Sequence, residues 1–319
     1  MEKKPILKVE GLGVSFSQYT RGLRRSEMRA ITNLDIDLYE GEILAVVGSS
    51  GSGKSLLAHA ILGILPENAV AEGRIYYRDR LLTEKDRKHL RGREIVLIPQ
   101  SVNYLDPLMK VKKQIGISLR DAELLQKGSS HHKEGLIRSI LNRYGLGDEV
   151  EEYYPHQLSG GMARKVLLST ALASDSRVVI ADEPTPGLDA RALDEALKDF
   201  RELADSNKAV LMITHDINAA LRIADRISIF YAGSTLETAG AGDFEGNGES
   251  LRHPYTRALL HALPDREFRA VEGSQPLPGE VPSGCSFYER CGRRREHCRK
   301  AVPEWRELRG GKVRCHDAT

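Results

Sequence analysis

The sequence has no cysteine before Cys285, no long apolar run and almost no charge imbalance, its formal net charge being +2 over 319 residues. Nucleic-acid binding usually shows as a strongly basic balance or stripe, so no nucleic-acid partner is expected. The apolar-leaning segments Ile43–Val47 and Arg177–Ala181 fall far short of the roughly 20 residues that a membrane helix requires. Any membrane role must therefore be borrowed from a partner. Met1–Pro5 runs directly into a strand-like segment without the apolar stretch of a secretory signal, and the chain is expected to stay in the cytosol. No internal repeat is evident. What remains, 40% apolar and 29% charged residues, is ordinary globular composition, long enough for one large domain or two of common size.

Short β-branched runs alternate with helical patterns. Ile43–Val47, Glu94–Ile98, Val178–Ala181 and Ala209–Ile213 read as buried strands of a mostly parallel sheet wrapped by helices, an α/β arrangement in which ligands bind at the carboxyl ends of the strands. Ile6–Val9, Leu34–Leu38 and Arg74–Tyr77 suggest an antiparallel portion. From about residue 102 to 173 the pattern turns helical, with Lys133–Tyr144 and Gly161–Leu172 the clearest helices, and this stretch reads as a helical subdomain inserted into the sheet domain. After Gly233 the composition shifts to a glycine-rich loop, a short helix at Tyr255–Leu263 and a proline-rich stretch, so the expected division is a first domain over 1–235 and a small second one over 236–319.

Two elements carry chemistry on their own terms. Gly48, Ser49, Ser50, Gly51, Ser52, Gly53, Lys54 and Ser55 fit G-x-x-x-x-G-K-[ST] between a strand and a helix. In such a loop the backbone N–H groups cradle phosphates, the lysine reaches the β and γ phosphates of ATP, and the hydroxyl of Ser55 ligates Mg2+. Asp182 and Glu183 end the buried run Val178–Ala181. One carboxylate there can hold the magnesium shell while its neighbour orients or deprotonates the attacking water.

With further motifs in order, the chain resembles the ATP-binding cassette (ABC) family over about Leu7 to Phe230. Gln100 matches its glutamine loop, Leu158–Gly161 its signature, Pro186–Asp189 the loop after the second carboxylate, and His215 its switch histidine. The resemblance implies an ATPase with Glu183, His215 and Gln100 as catalytic residues and Asp182, Gln100 and Ser55 around magnesium. It also implies that Ser159, Gly160, Gly161 and Asp189 contact nucleotide across a dimer, with an N-terminal aromatic, Phe16 or in reserve Tyr19, stacking on adenine. Met162, where the general family has glutamine, resembles the peptide and nickel importer branch.

His253–Leu259, Pro278–Pro282 and Gly284–Cys291 resemble the C-terminal extension of oligopeptide, dipeptide and nickel importer ATPases. The implied function is the ATP-hydrolysing motor of an importer, peripheral on the cytoplasmic face of the membrane. Its partners would be a second cassette, two permease subunits and, indirectly, an extracytoplasmic binding protein, with peptide or chelated nickel as cargo. An ATPase subunit of a soluble complex, like that for phosphonate breakdown, and a non-transport cassette ATPase are the other readings. Cys285, Cys291, Cys298 and Cys315 are spaced C-x5-C-x6-C-x16-C, which suits zinc poorly. Four thiolates and the resemblance point to a [4Fe–4S] cluster, with zinc and free or oxidised thiols as alternatives.

Overall fold

The computed structural model describes the backbone of residues 3–19, 25–49, 51–119, 130–277, 280–281 and 283–319. Ser50, Pro278, Gly279 and Pro282, and the side chain of Tyr19, lie outside what is described. The strands are β1 (Leu7–Tyr19), β2 (Arg25–Leu38), β3 (Ile43–Val47), β4 (Ala69–Tyr77), β5 (Arg80–Leu81), β6 (Ile95–Ile98), β7 (Val178–Asp182), β8 (Ala209–Thr214), β9 (Arg226–Tyr231), β10 (Ser234–Gly240), β11 (Arg306–Leu308) and β12 (Gly311–Val313). The helices are α1 (Lys54–Leu62), α2 (Glu84–Leu90), α3 (Val111–Ser118), α4 (Ser130–Arg143), α5 (Gly160–Leu172), α6 (Ala190–Asp205), α7 (Ile217–Ile223), α8 (Pro254–His261) and α9 (Glu296–Lys300). The chain divides into two compact units, residues 1–39, 44–82 and 214–319 in one and residues 40–43 and 83–213 in the other.

In the first unit the strands run in the order β5-β4-β1-β2-β10-β9-β3, with β12 on β10 and β11 on β12. β1 pairs antiparallel with β2 and β4, while β3 and β9 are parallel. All five residues of β3 are buried, as expected where both faces of a parallel strand are covered. The expected antiparallel strands are longer than their apolar cores. Bulges at Val9/Leu12 and Val14/Ser15 break the alternation on which a period-2 reading depends.

The last residues return to this sheet. β12 pairs with β10 through Glu237↔Val313, Arg314 bridges to Asp35 at 2.7 Å and Lys312 to Asp37 at 2.6 Å. Beneath them Arg252, fully buried, meets Glu237 at 3.2 Å and Asp243 at 2.9 Å. Buried ions persist only when paired and hydrogen-bonded, and Glu237 completes its bonding by accepting the N–H groups of Arg252 and His253.

The second unit holds the parallel ladder β8-β7-β6 and the helices α2 to α6. α3, α4 and α5 pack on one another, the helical stretch anticipated from the sequence. α6 buries Ala192, Ala196, Leu197, Phe200, Leu203 and Ala204, an i, i+4, i+8 stripe that forms one apolar face. Asp199 on that face is 1% exposed and is held by the hydroxyl of Tyr144 and the guanidinium of Arg143. No helix among the described residues is long and apolar enough to cross a membrane.

Candidate functional site

The phosphate-loop residues belong to the first unit. The loop leaves the buried β3 at Gly48, whose N–H donates to the carbonyl of Thr214 at 3.4 Å. A Cβ at Gly48 would stand 2.4 Å from the carbonyl oxygen of Phe230, so only glycine admits this approach of two backbones. Gly53 caps α1 with φ 95°, a left-handed conformation that side chains oppose. With the loop so shaped, the first turn of the nine-residue α1 carries no acidic residue, and the positive end of its dipole favours an anion.

Lys54, 5% exposed, folds back over the loop, its Nζ donating to the carbonyls of Gly48 at 2.8 Å and Ser49 at 2.7 Å. Ser52 closes the turn by donating from Oγ to the carbonyl of Ser49 at 2.7 Å. Ser49 donates its own hydroxyl to Oε1 of Gln275 at 2.6 Å, a tail contact that no sequence pattern indicated. His215 is exposed between the end of β8 and Asp216, whose side chain caps α7 by accepting from Ala219 N–H at 3.0 Å. Phe16 is half-buried in β1 opposite Met28 and Ala69.

The carboxylates and the signature belong to the second unit. β7 is buried throughout, and Asp182 and Glu183 at its end are 3% and 6% exposed. Glu183 has φ 47°, unusual for a residue with a side chain and worth about 1–3 kcal/mol of backbone strain. Its main chain is held on both sides. The N–H donates to the carbonyl of Ile213 at 2.8 Å, and the carbonyl accepts from Arg164 at 3.0 Å.

Arg164, on α5, also donates to the carbonyl of Pro99 at 2.7 Å, the residue before the exposed Gln100. Burial lowers its pKa, and the charges of Asp182 and Glu183 oppose that fall. One buried guanidinium thus ties the carboxylate strand end to the glutamine loop. The sequence assigns Arg164 no role, since its spacing from Glu183 and Pro99 gives no hint of the contact.

Ser159 is the N-cap of the 13-residue α5, accepting from Met162 N–H at 3.3 Å, with Gly160 exposed beside it. Asp189 caps α6, accepting from Ala192 N–H at 2.8 Å, and bridges to Lys165 at 3.2 Å. These two contacts, the cap first, hold its carboxyl below the usual carboxylate range.

The four cysteines are free and line one small space with His253, Phe287, His316 and Asp317. The [4Fe–4S] expectation is corrected here: among the described residues no group of three or more His, Cys, Asp or Glu side chains is placed to hold a metal ion. Burial pushes the Cys285 thiol up to about 11 and raises those of Cys291 and Cys315. Tyr231, Tyr255 and Phe287 pack nearby with ring centroids 4.5–5.5 Å apart, and Cys285 and Cys298 are buried as small apolar side chains are.

The fold is that of a nucleotide-binding cassette. The bacterial cassette solved as a dimer superposes with a TM-score of 0.63 at 24% identity, covering 74% of this chain and 98% of that one. The same cassette with ADP and phosphate gives 0.61 at 25%. Residues 31–186 match the family model described as ABC transporter, and residues 241–298 match that of the oligopeptide/dipeptide transporter C-terminal region.

Along nearly its whole length the chain is 33% identical to the dipeptide transport ATP-binding protein of Bacillus subtilis, covering 95% of this chain and 91% of the relative. It is also 33% identical to that of Escherichia coli over 98% and 96%. An oligopeptide transport ATP-binding protein of Bacillus subtilis is 32% identical over 92% of each chain. The chain belongs to the ATP-binding subunits of ABC transporters, as an ATP-hydrolysing subunit of the peptide-import type.

Proposed function

We propose that this chain is one of a pair of cassettes that power import of short peptides through separate permease subunits, working peripherally at the cytoplasmic face of the membrane. The observation that carries this reading is the likeness to peptide-transport ATP-binding proteins over both the cassette and the C-terminal region. Nickel as cargo gains no support from these relatives, whose names specify dipeptides and oligopeptides.

In this reading Gly48–Ser55 and α1 bind the triphosphate, and Lys54 exchanges its two loop carbonyls for phosphate oxygens. Phe16 stacks on adenine. Ser55, Asp182 and Gln100 are the residues that would hold Mg2+, which supplies charge neutralisation at the phosphates. Glu183 orients and takes a proton from the attacking water, and His215 contacts the γ-phosphate. Ser159 to Gly161 present N–H donors at the start of α5 to nucleotide on the second cassette, with Asp189 beside the same junction. ATP closes the pair, hydrolysis reopens it, and the permeases receive that motion along with cargo from an extracytoplasmic binding protein.

Replacing Glu183 with Gln keeps the side chain's volume and removes its basicity. Nucleotide affinity is expected to hold within about threefold while turnover falls by about 100-fold or more, in the range of a lost general base. Turnover equal to that of the unmodified chain would overturn the assignment.

A further inference from the structure

β2 presents two different faces. Its register with β1 sets Phe16 opposite Met28, so by strand alternation Glu27 and Arg29 project from the other face. That other face walls a cavity of about 500 Å3, closed on its far side by the C-terminal segment at Ser283–Ser286, Val302, Pro303 and Arg314. The volume is within the range of about 300–1,000 Å3 typical of small-molecule pockets. Every lining residue belongs to the first unit, and none has a part in the nucleotide site proposed above.

Two buried side chains mark this cavity as more than a surface dent. Ser286 is 7% exposed, and its Oγ has no hydrogen-bond partner among the described residues. An unmet buried hydroxyl costs about 1–3 kcal/mol. Arg314, also 7% exposed, is pinned by the carbonyl of Asn33 at 2.9 Å and by Asp35 at 2.7 Å, over the ring of Trp305 at 4.9 Å; its Nε is likewise unmatched. At the rim stand two exposed opposite charges, Glu27 and Arg29, the latter 2.7 Å from Glu72. Leu236, Val281, Val302 and Pro303 give the wall its apolar part, and Thr32, Asn33, Ser234 and Ser283 add neutral polar groups.

Arg29 and Arg314 already have carboxylate partners in Glu72 and Asp35, so the donors left over are Arg314 Nε and Ser286 Oγ. Glu27 is the one acidic side chain of the lining. A simple anion would meet those donors but face Glu27, and a simple cation would meet Glu27 alone. A molecule with an ammonium and a carboxylate separated by short apolar groups meets all of them. We propose that this cavity binds a short zwitterionic peptide, the chemistry of the imported cargo as it arrives on the ATPase side. The inference rests on the peptide-import reading for its physiological meaning, and on the cavity's charges and size for its chemistry.

The test is titration calorimetry of the full chain with L-alanyl-L-alanine as probe. Saturable binding is expected, and it should persist with ADP bound, because the cavity and Phe16 lie on opposite faces of β2. N-acetylation or C-amidation of the probe, and the exposed-site variants Glu27→Gln and Arg29→Gln, should each weaken binding about tenfold or more, equivalent to about 1.4 kcal/mol, with ATP turnover unchanged. No binding at millimolar probe, equal binding of the capped peptide or of acetate, full affinity in both variants, or displacement by ADP would each overturn the pocket. A chain that hydrolyses ATP and copurifies with permeases yet ignores the probe loses only the pocket. One that binds the probe but neither hydrolyses ATP nor copurifies with permeases loses only the importer reading.

Discussion

Replacing Arg164 with Met should separate the positioning of Glu183 from nucleotide binding. The arginine donates to two buried carbonyls, those of Pro99 and Glu183, and each left without a donor costs about 1–3 kcal/mol. The sum, about 2–6 kcal/mol, is reduced because methionine fills the stem's volume and burying the guanidinium was itself unfavourable, as its lowered pKa shows. A loss of about 2–4 kcal/mol in urea unfolding is expected. Glu183 then keeps one main-chain anchor, Ile213, for a backbone at φ 47°, and its carboxylate loses definition. We expect kcat to fall about 10- to 100-fold, or about 1.4–2.7 kcal/mol of barrier, while KM for ATP stays within about threefold because Gly48–Ser55 is untouched. Lys at this position keeps the charge but brings a single nitrogen where Arg164 uses two, Nη1 for Pro99 and Nη2 for Glu183, and should restore part of the turnover. A methionine variant with normal kcat and an unchanged urea midpoint would refute the clamp.

Two further outcomes follow from single residues. Gly48→Ala should abolish ATP binding and lower thermal stability, because its Cβ would meet the backbone oxygen of Phe230 at 2.4 Å and backbone cannot yield as a side chain can; a filter-binding assay with normal affinity would contradict this. Fully buried His253, whose pKa is pushed down to about 3 by desolvation, stays neutral in the folded chain while the unfolded chain protonates below about 6.5. Stability should therefore drop as pH falls below about 6.5, by up to about 1.4 kcal/mol per unit. His253→Asn, which retains a cap acceptor for Tyr255 N–H, should flatten that part of the urea-midpoint profile, and an unchanged slope would reject the assignment.

Much of the cassette was legible because its signals are local. Gly48–Ser55 declares its loop by glycine spacing, and the runs Val178–Ala181 and Ala209–Ile213 are apolar on both faces because parallel strands are covered on both. The ends of β1, β2 and β4 were missed where bulges break the alternation. Arg164 escaped because its two acceptors, Pro99 and Glu183, are main-chain atoms, which leave no mark on residue identity. The same limit hid the C-terminal return: Arg252 is surrounded by Glu237, Asp243 and the carbonyls of Leu308 and Arg309, partners scattered over some 70 positions of a segment that reads as loop. The cysteines erred the other way. Their clustering in sequence suggested a ligand set, but among the described residues the fold places no three such side chains to hold a metal ion.

Under the proposed function, the two groups of motif residues also differ in how they would be prepared for nucleotide. Lys54 is already buried and bonded to the carbonyls of Gly48 and Ser49, so its charge is partly satisfied before any phosphate arrives. In that reading, phosphate binding would exchange these bonds rather than create new ones from water, and the net gain per bond would be the modest one of an exchange. The second group is held differently, with Glu183 fixed through its main chain and Arg164 balancing the carboxylates. Fixing a residue through its backbone suits the general-base role proposed for Glu183, whereas the phosphate-binding role proposed for Lys54 calls for a side chain that changes partners. In the proposed reading the loop changes partners on binding, and the carboxylate strand end remains where it is.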